Sequence, residues 1–180
     1  MILGSAGAGK STMAIKLGEI TGIPVIHLDR LFWNPGWIAT PKDEFDSEVF
    51  KAATGDSWII DGNYSRTLDF RIEQADTIIF IDFNRYFCIY RIFKRWVSNR
   101  GRTRFDLGED CPEKMDWPFL KWVWGYPTHS RKAILDKLHQ CDKNVYHLKS
   151  RKAVAGFIDD ARRGMNYSEF NEKRCRQSGT

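Results

Sequence analysis

Gly4-Ser5-Ala6-Gly7-Ala8-Gly9-Lys10-Ser11 matches the G-x-x-x-x-G-K-[ST] spacing of a phosphate-binding loop without a substitution. Each residue type in that spacing has a physical task. Glycines let the backbone curl so that successive N–H groups point at phosphate oxygens. The helix that follows adds partial positive charge at its N-terminus. Lys10 would reach the β- and γ-phosphates, the Ser11 hydroxyl would ligate Mg²⁺, and Thr12 completes the nucleotide-binding set. The loop therefore predicts binding of ATP or GTP with Mg²⁺.

Three carboxylates, Asp29, Asp61 and Asp82, each close an apolar run of strand length. In an open α/β sheet, ligands bind at the carboxyl ends of the strands. Asp61 is the expected Mg²⁺ partner of Ser11. Asp29 is expected to bind the acceptor, or to take its proton if the acceptor is a hydroxyl. Asp82 reads as an N-cap for a helix beginning near Asn84. Basic residues follow, with Arg91 and Arg95 on one helix face and Arg100, Arg102 and Arg104 around Gly101. Arg91, Arg95 and Arg100 suit a lid that stabilises the charge of a moving phosphoryl group. Trp33 and Trp37, in Leu31-Phe32-Trp33-Asn34-Pro35-Gly36-Trp37, either wall an acceptor pocket or pack a small subdomain. The Pro-Gly punctuation there argues against a helix.

The elements that must position these residues alternate as a parallel sheet with crossover helices does. Strands are expected at Met1–Leu3, slightly truncated, either because the strand is short or because the chain starts a few residues upstream, and at Val25–Leu28, Ser57–Ile60, Thr77–Ile81 and Asn144–Leu148. Helices are expected at Thr12–Ile20, Asp43–Ala53, Ser65–Ala75, Arg85–Asn99 and Arg151–Arg163, with Pro127 expected to kink or divide an aromatic-rich segment from Met115 to Gln140.

Length, composition and charge bound the rest. At 180 residues, 42% apolar and 28% charged, the chain suits a single globular domain. Four scattered cysteines without a C-x-x-C pair, and the absence of a signal-peptide or membrane-spanning run, point to a reduced cytoplasmic protein. A net charge of +5 suits anionic nucleotides and permits weak attraction to nucleic acid, but no recognition-helix pattern favours direct DNA binding. The aromatic stretch Trp117, Phe119, Leu120, Trp122, Val123 and Trp124 goes to core or to a dimer surface, which leaves monomer and homodimer both open.

Gly4 to Thr12, His27-Leu28-Asp29, Leu31 to Trp37, Trp58-Ile59-Ile60-Asp61-Gly62-Asn63-Tyr64, and Cys111-Pro112-Glu113 through Trp117 together resemble the bacterial topology-modulation proteins. That group is related to the adenylate kinases. The resemblance runs from residue 1 to about 160. It implies a P-loop kinase core, an α/β three-layer sandwich with five parallel strands in the order 2-3-1-4-5. It also implies an acceptor-binding region at about 30–56 and an arginine-bearing lid at about 91–115, in one domain of residues 1–163 with a polar tail at 164–180. The departures from adenylate kinases are informative. Lys10 is followed by Ser11-Thr12 where they have Gly-Thr, and Arg66 stands one place beyond the arginine of their Asp-Gly-Phe-Pro-Arg motif. Arg66 is the expected counterpart for acceptor contact. Asp43, Glu44, Asp46 and Glu48 make the acceptor region acidic, which disfavours a dianionic monophosphate and favours a neutral hydroxyl.

The expected activity is ATP-dependent, Mg²⁺-assisted phosphoryl transfer to a small-molecule or nucleotide acceptor. The alternative is a nucleotide-binding regulator with slow hydrolysis that affects DNA topology. No N-K-x-D guanine-specificity motif is present.

Overall fold

Runs of β-branched and aromatic residues pair side by side, and a short hairpin interrupts them. In chain order the strands are β1 (Ile2–Gly4), β2 (Val25–His27), β3 (Trp33–Asn34), β4 (Ile38–Ala39), β5 (Ile59–Asp61), β6 (Thr77–Ile81) and β7 (Asn144–Leu148). The computed structural model describes residues 1–99, 101, 106–108, 110–113 and 115–164. β3 and β4 pair antiparallel with each other. The others form one parallel sheet in the order β2-β5-β1-β6-β7. The inserted hairpin shifts the numbering away from the expected 2-3-1-4-5; with it set aside, the sheet strands follow as second, third, first, fourth and fifth. The register places Gly4 beside Ile81 and His27 beside Asp61, so the carboxyl ends of these four strands share one rim.

The helices are α1 (Lys10–Thr21), α2 (Leu28–Phe32), α3 (Lys42–Ala53), α4 (Leu68–Gln74), α5 (Arg85–Ser98), α6 (Trp117–Tyr126), α7 (Lys132–Gln140) and α8 (Arg151–Arg162). They cover both faces of the sheet, because successive strand residues point to opposite sides. Ile79 and Ile81 pack with Met13, Leu17, Ile92 and Ile158 on one face. Ile78 and Phe80 pack with Leu68, Ile72, Ile134 and Leu138 on the other. Burial on both faces explains why these strands read as continuous apolar runs. A third cluster of Leu28, Phe45, Val49 and Ile60 seats α2 and α3 beside β5.

Local expectations change in three places. Leu28–Phe32 is a short helix, and only the stretch beyond it, around Pro35-Gly36, turns as a hairpin. Where the sequence predicts a kink or division at Pro127, the helix changes type: α6 ends at Tyr126, and a π-helical turn, Pro127–Arg131, carries it into α7. The wider turn relieves the clash that a proline ring makes with the carbonyl four residues back. Asp82 is not the cap of α5. Asn84 caps it, accepting from the Tyr86 backbone N–H at 2.7 Å. Asp82 instead takes two hydrogen bonds from Arg131, both 2.7 Å, and one from His147 Nε2 at 2.7 Å. Burial alone would raise its pKa, but those hydrogen bonds outweigh it and hold the carboxyl below its ordinary value. Among the described residues no helix is long and apolar enough to cross a membrane.

Candidate active site

The phosphate loop folds as its glycines require. Gly4, Gly7 and Gly9 have φ of 144°, 76° and 101°. A Cβ on Gly4 would stand 2.3 Å from the Ile81 carbonyl oxygen, and one on Gly7 would stand 2.5 Å from that of Cys88. Only glycine lets the loop lie this close to β6 and α5. Gly9 is the N-cap of α1, so the helix N-terminus opens into the loop. Lys10 Nζ donates to the Ser5 carbonyl at 3.1 Å, spanning the loop from within. Burial lowers the Lys10 pKa, while the charges of Asp61 and Asp29 oppose that fall.

A cleft of about 1400 Å³ runs along the carboxyl rim, with Lys10, Ser11, Thr12, Asp29, Trp33, Trp37, Asp61, Arg91 and Arg95 in its walls. The structure thus brings together most of the residues singled out from sequence. Asp61, at the end of β5, is buried and takes a 2.6 Å hydrogen bond from His27 Nδ1, at the end of β2. Burial disfavours the His27 imidazolium, yet the hydrogen bond and charge of Asp61 prevail and raise its pKa. Among the described residues no group of three or more His, Cys, Asp and Glu forms a metal cage. A serine hydroxyl and one carboxylate are nonetheless the sparse donor set that Mg²⁺ accepts, since it keeps waters and nucleotide oxygens as its other ligands. Ser11 and Asp61 fit that requirement.

Asp29 sits in the first turn of α2, directly after β2. Its Oδ1 accepts from the Tyr64 hydroxyl at 2.7 Å. Burial and the neighbouring Asp29 charge raise the Tyr64 pKa, so the phenol stays a proton donor. Trp33 and Trp37 meet edge to face at 5.4 Å and line the cleft beside Phe32 and Tyr64.

The arginines separate into distinct roles. Arg91 Nη1 donates to the Ala8 carbonyl at 2.9 Å, placing its guanidinium against the phosphate loop. Arg95 pairs with Glu113 at 3.0 Å, tying α5 to the segment before α6. Arg100 lies outside the described residues. Arg66, expected at the acceptor, turns outward: its Nη2 lies 2.6 Å from Asp46 Oδ2 and 3.8 Å from Asp43. It is not among the residues that line the cleft. Two of the acidic side chains of α3 that argue against a monophosphate, Asp43 and Asp46, hold this arginine away.

Gly108 and the stretch Asp110 to Pro112 lie against the hairpin. The Gly36 N–H donates to the Asp110 carbonyl at 2.9 Å, and Trp37 Nε1 donates to that of Pro112 at 3.2 Å. The Cys111 thiol donates to the Asn34 carbonyl at 3.3 Å. A Cβ on Gly108 would stand 2.1 Å from the Trp33 carbonyl oxygen.

Two residues that the sequence reading passed over organise the middle of the site. Asn63 bridges the phosphate loop, accepting from the Gly4 N–H at 3.1 Å and donating to the Gly4 carbonyl at 3.0 Å. Arg71 is fully buried and donates to the carbonyls of Gly62, Asn63 and Tyr64 at 2.9, 2.5 and 3.0 Å. Burial lowers its pKa to about 10. It fixes the turn in which Tyr64 adopts a φ of 26°. A signal for Arg71 exists in the sequence: Leu68, Arg71, Ile72 and Ala75 have the i, i+3, i+4, i+7 spacing of a buried helix face.

The family model for isopentenyl transferase matches residues 1–50, which hold β1, the phosphate loop, α1, β2 and the hairpin. No curated protein matches the sequence. Among solved structures, a gluconokinase from Sinorhizobium meliloti 1021 superposes with a TM-score of 0.51 at 15% identity, covering 98% of this chain and 95% of that one. A sugar kinase from Janibacter sp. HTCC2649 gives 0.48 at 15% identity, with 89% of each chain covered. A deoxyadenosine kinase from M. mycoides with bound dCTP gives 0.44 at 14% identity, over 91% of this chain and 98% of that one. The likeness to the gluconokinase shows a shared fold: a P-loop kinase-like sheet with helices on both faces.

Proposed function

We propose that this chain is an ATP-dependent, Mg²⁺-assisted phosphotransferase that acts on a hydroxyl group of a small acceptor. One observation carries the reading. Asp29, hydrogen-bonded to Tyr64, lines the same cleft as Lys10 and the N-terminus of α1. A carboxylate suited to take a hydroxyl proton therefore faces a cradle suited to hold a triphosphate.

In this reading the backbone N–H groups of the loop and Lys10 hold the phosphates, and Arg91 stands ready to leave the Ala8 carbonyl for a nucleotide oxygen. Ser11 and Asp61 would hold Mg²⁺, which when bound neutralises charge on the phosphate oxygens. His27 fixes the orientation of Asp61 through its hydrogen bond. Tyr64 orients Asp29, which accepts the acceptor's proton as the oxygen attacks phosphorus. Trp33, Trp37 and Phe32 shelter the acceptor from water. Arg66 faces Asp46, which supports an acceptor that brings no phosphate of its own. The motif resemblance to the topology-modulation proteins and the cysteine usage support a cytoplasmic kinase of that kind.

The test is ADP release against a panel of nucleosides, nucleoside monophosphates and hydroxylated metabolites. Wild type should show acceptor-dependent release, and Lys10→Ala should lose on the order of 10²–10³-fold in kcat with an unchanged circular dichroism spectrum. Tight ATP binding with no stimulation by any acceptor would overturn the kinase reading in favour of a nucleotide-gated regulator.

A further inference from the structure

One face of the molecule is out of keeping with a solvated surface. On α5, Tyr86, Tyr90, Phe93 and Val97 are all exposed, while Cys88 and Ile92 on the opposite side are buried. Their 4-3-4 spacing is the a/d spacing of a helix that packs against another helix. α6 extends the stripe. Tyr86 meets Trp124 edge to face at 5.5 Å, and the Arg95–Glu113 pair ties the far end of α5 to the chain just before α6. The two helices are therefore antiparallel neighbours. Trp117, two turns back from Trp124 on the same face of α6, comes level with Phe93, two turns on from Tyr86. These side chains are between 47% exposed at Trp124 and 79% exposed at Trp117.

The area is large. At roughly 200 Å² for a fully exposed aromatic side chain, the five rings leave roughly 600 Å² open, before Val97 is added. That stands at the upper end of the roughly 300–600 Å² of the largest apolar patch on an ordinary monomer, and approaches the ~800 Å² per partner of a standard interface.

We infer that this face joins two copies of the chain through α5 packed on α5 about a twofold axis. A self-complementary apolar stripe satisfies the isologous geometry of such a dimer. Charge permits the approach as well. Arg91 and Arg95 turn to the cleft, and the Arg85 guanidinium lies over the Trp124 ring at 5.0 Å. The chain's own tail, residues 165–180, offers only Met165, Tyr167 and Phe170 as large apolar residues, too few to cover six. Because the inner face of α5 carries Arg91 and Arg95, pairing its outer face also braces the arginine side of the cleft.

Light scattering on the full chain after gel filtration tests this, at about 1 and 100 µM. Wild type should approach twice the 21.0 kDa chain mass at the higher concentration. Tyr90→Glu and Phe93→Glu, each on an exposed position, should return the mass to 21.0 kDa with an unchanged circular dichroism spectrum and the melting curve of dilute wild type. Ile38→Glu, an equally apolar and 65% exposed position on β4, should leave the dimer intact. A wild type that stays monomeric at 100 µM, or a dimer that survives the Tyr90→Glu/Phe93→Glu double substitution, would overturn the inference.

Discussion

The two halves of the cleft are built in different ways. The nucleotide half is a contiguous stretch, Gly4 to Thr12, whose chemistry lies in backbone N–H groups, a helix end and a single lysine. Its shape follows from glycines that no other residue can replace without meeting β6 or α5. The opposite half is assembled from side chains of α2, the β3–β4 hairpin, the turn after β5, and Asp106, Leu107 and Glu113. Long-range hydrogen bonds, Trp37 to Pro112 and Tyr64 to Asp29, hold it together, and Arg71 fixes the turn after β5 through three nearby carbonyls. Backbone geometry of this kind tolerates few alternatives. A wall of side chains can be rebuilt one residue at a time while the phosphate loop is kept.

That contrast breaks first at Asp29. Asp29→Asn keeps the shape but removes the proposed base, so kcat should fall on the order of 10²–10⁴-fold while ATP affinity by calorimetry stays as in wild type. Undiminished turnover would remove Asp29 from the chemistry.

Arg71→Met tests the frame between the halves. It leaves the carbonyls of Gly62, Asn63 and Tyr64 without their buried donor, and should cost about 3 kcal/mol in urea unfolding. Arg71→Lys should recover only part, since a single ammonium cannot reproduce the planar fork. A fully stable Arg71→Met protein would show that the turn after β5 holds itself.

Gly108→Ala touches the acceptor half alone. Its methyl group would push against the Trp33 carbonyl, costing roughly 1–3 kcal/mol in the contact of Gly108 with the hairpin. The acceptor KM should rise while ATP affinity holds. A parallel loss of ATP affinity would mean that the two halves are not separable.

Arg66→Ala should do least. Its partners, Asp46 and Asp43, lie on the outside of α3, so kcat/KM should change by less than about twofold. A large fall would return Arg66 to the acceptor site.

Much of this was legible in one dimension because the underlying interactions are local. The phosphate loop is eight residues of motif followed by a helix, and the strands announce themselves as apolar runs because both their faces are buried. Asp29 and Asp61 were readable for the same reason, as each ends such a run at the ligand-binding rim. Asp82 obeyed that rule too, yet its role depended on Arg131 and His147, which are 49 and 65 residues away. Arg66 shows the opposite failure. A motif offset by one residue suggested the acceptor, and a helix 20 residues earlier claimed the side chain.

Sequence alone determined the fold class, the phosphate cradle and the rim of carboxylates, because glycine stereochemistry and strand burial act within a few residues. Tertiary structure alone decided that Arg66 is turned away to Asp46, that Asn63 clasps Gly4, and that Gly108 and Asp110 to Pro112 lie on the hairpin. Those outcomes rest on hydrogen bonds between segments tens of residues apart, and no local pattern encodes which partner a side chain reaches first.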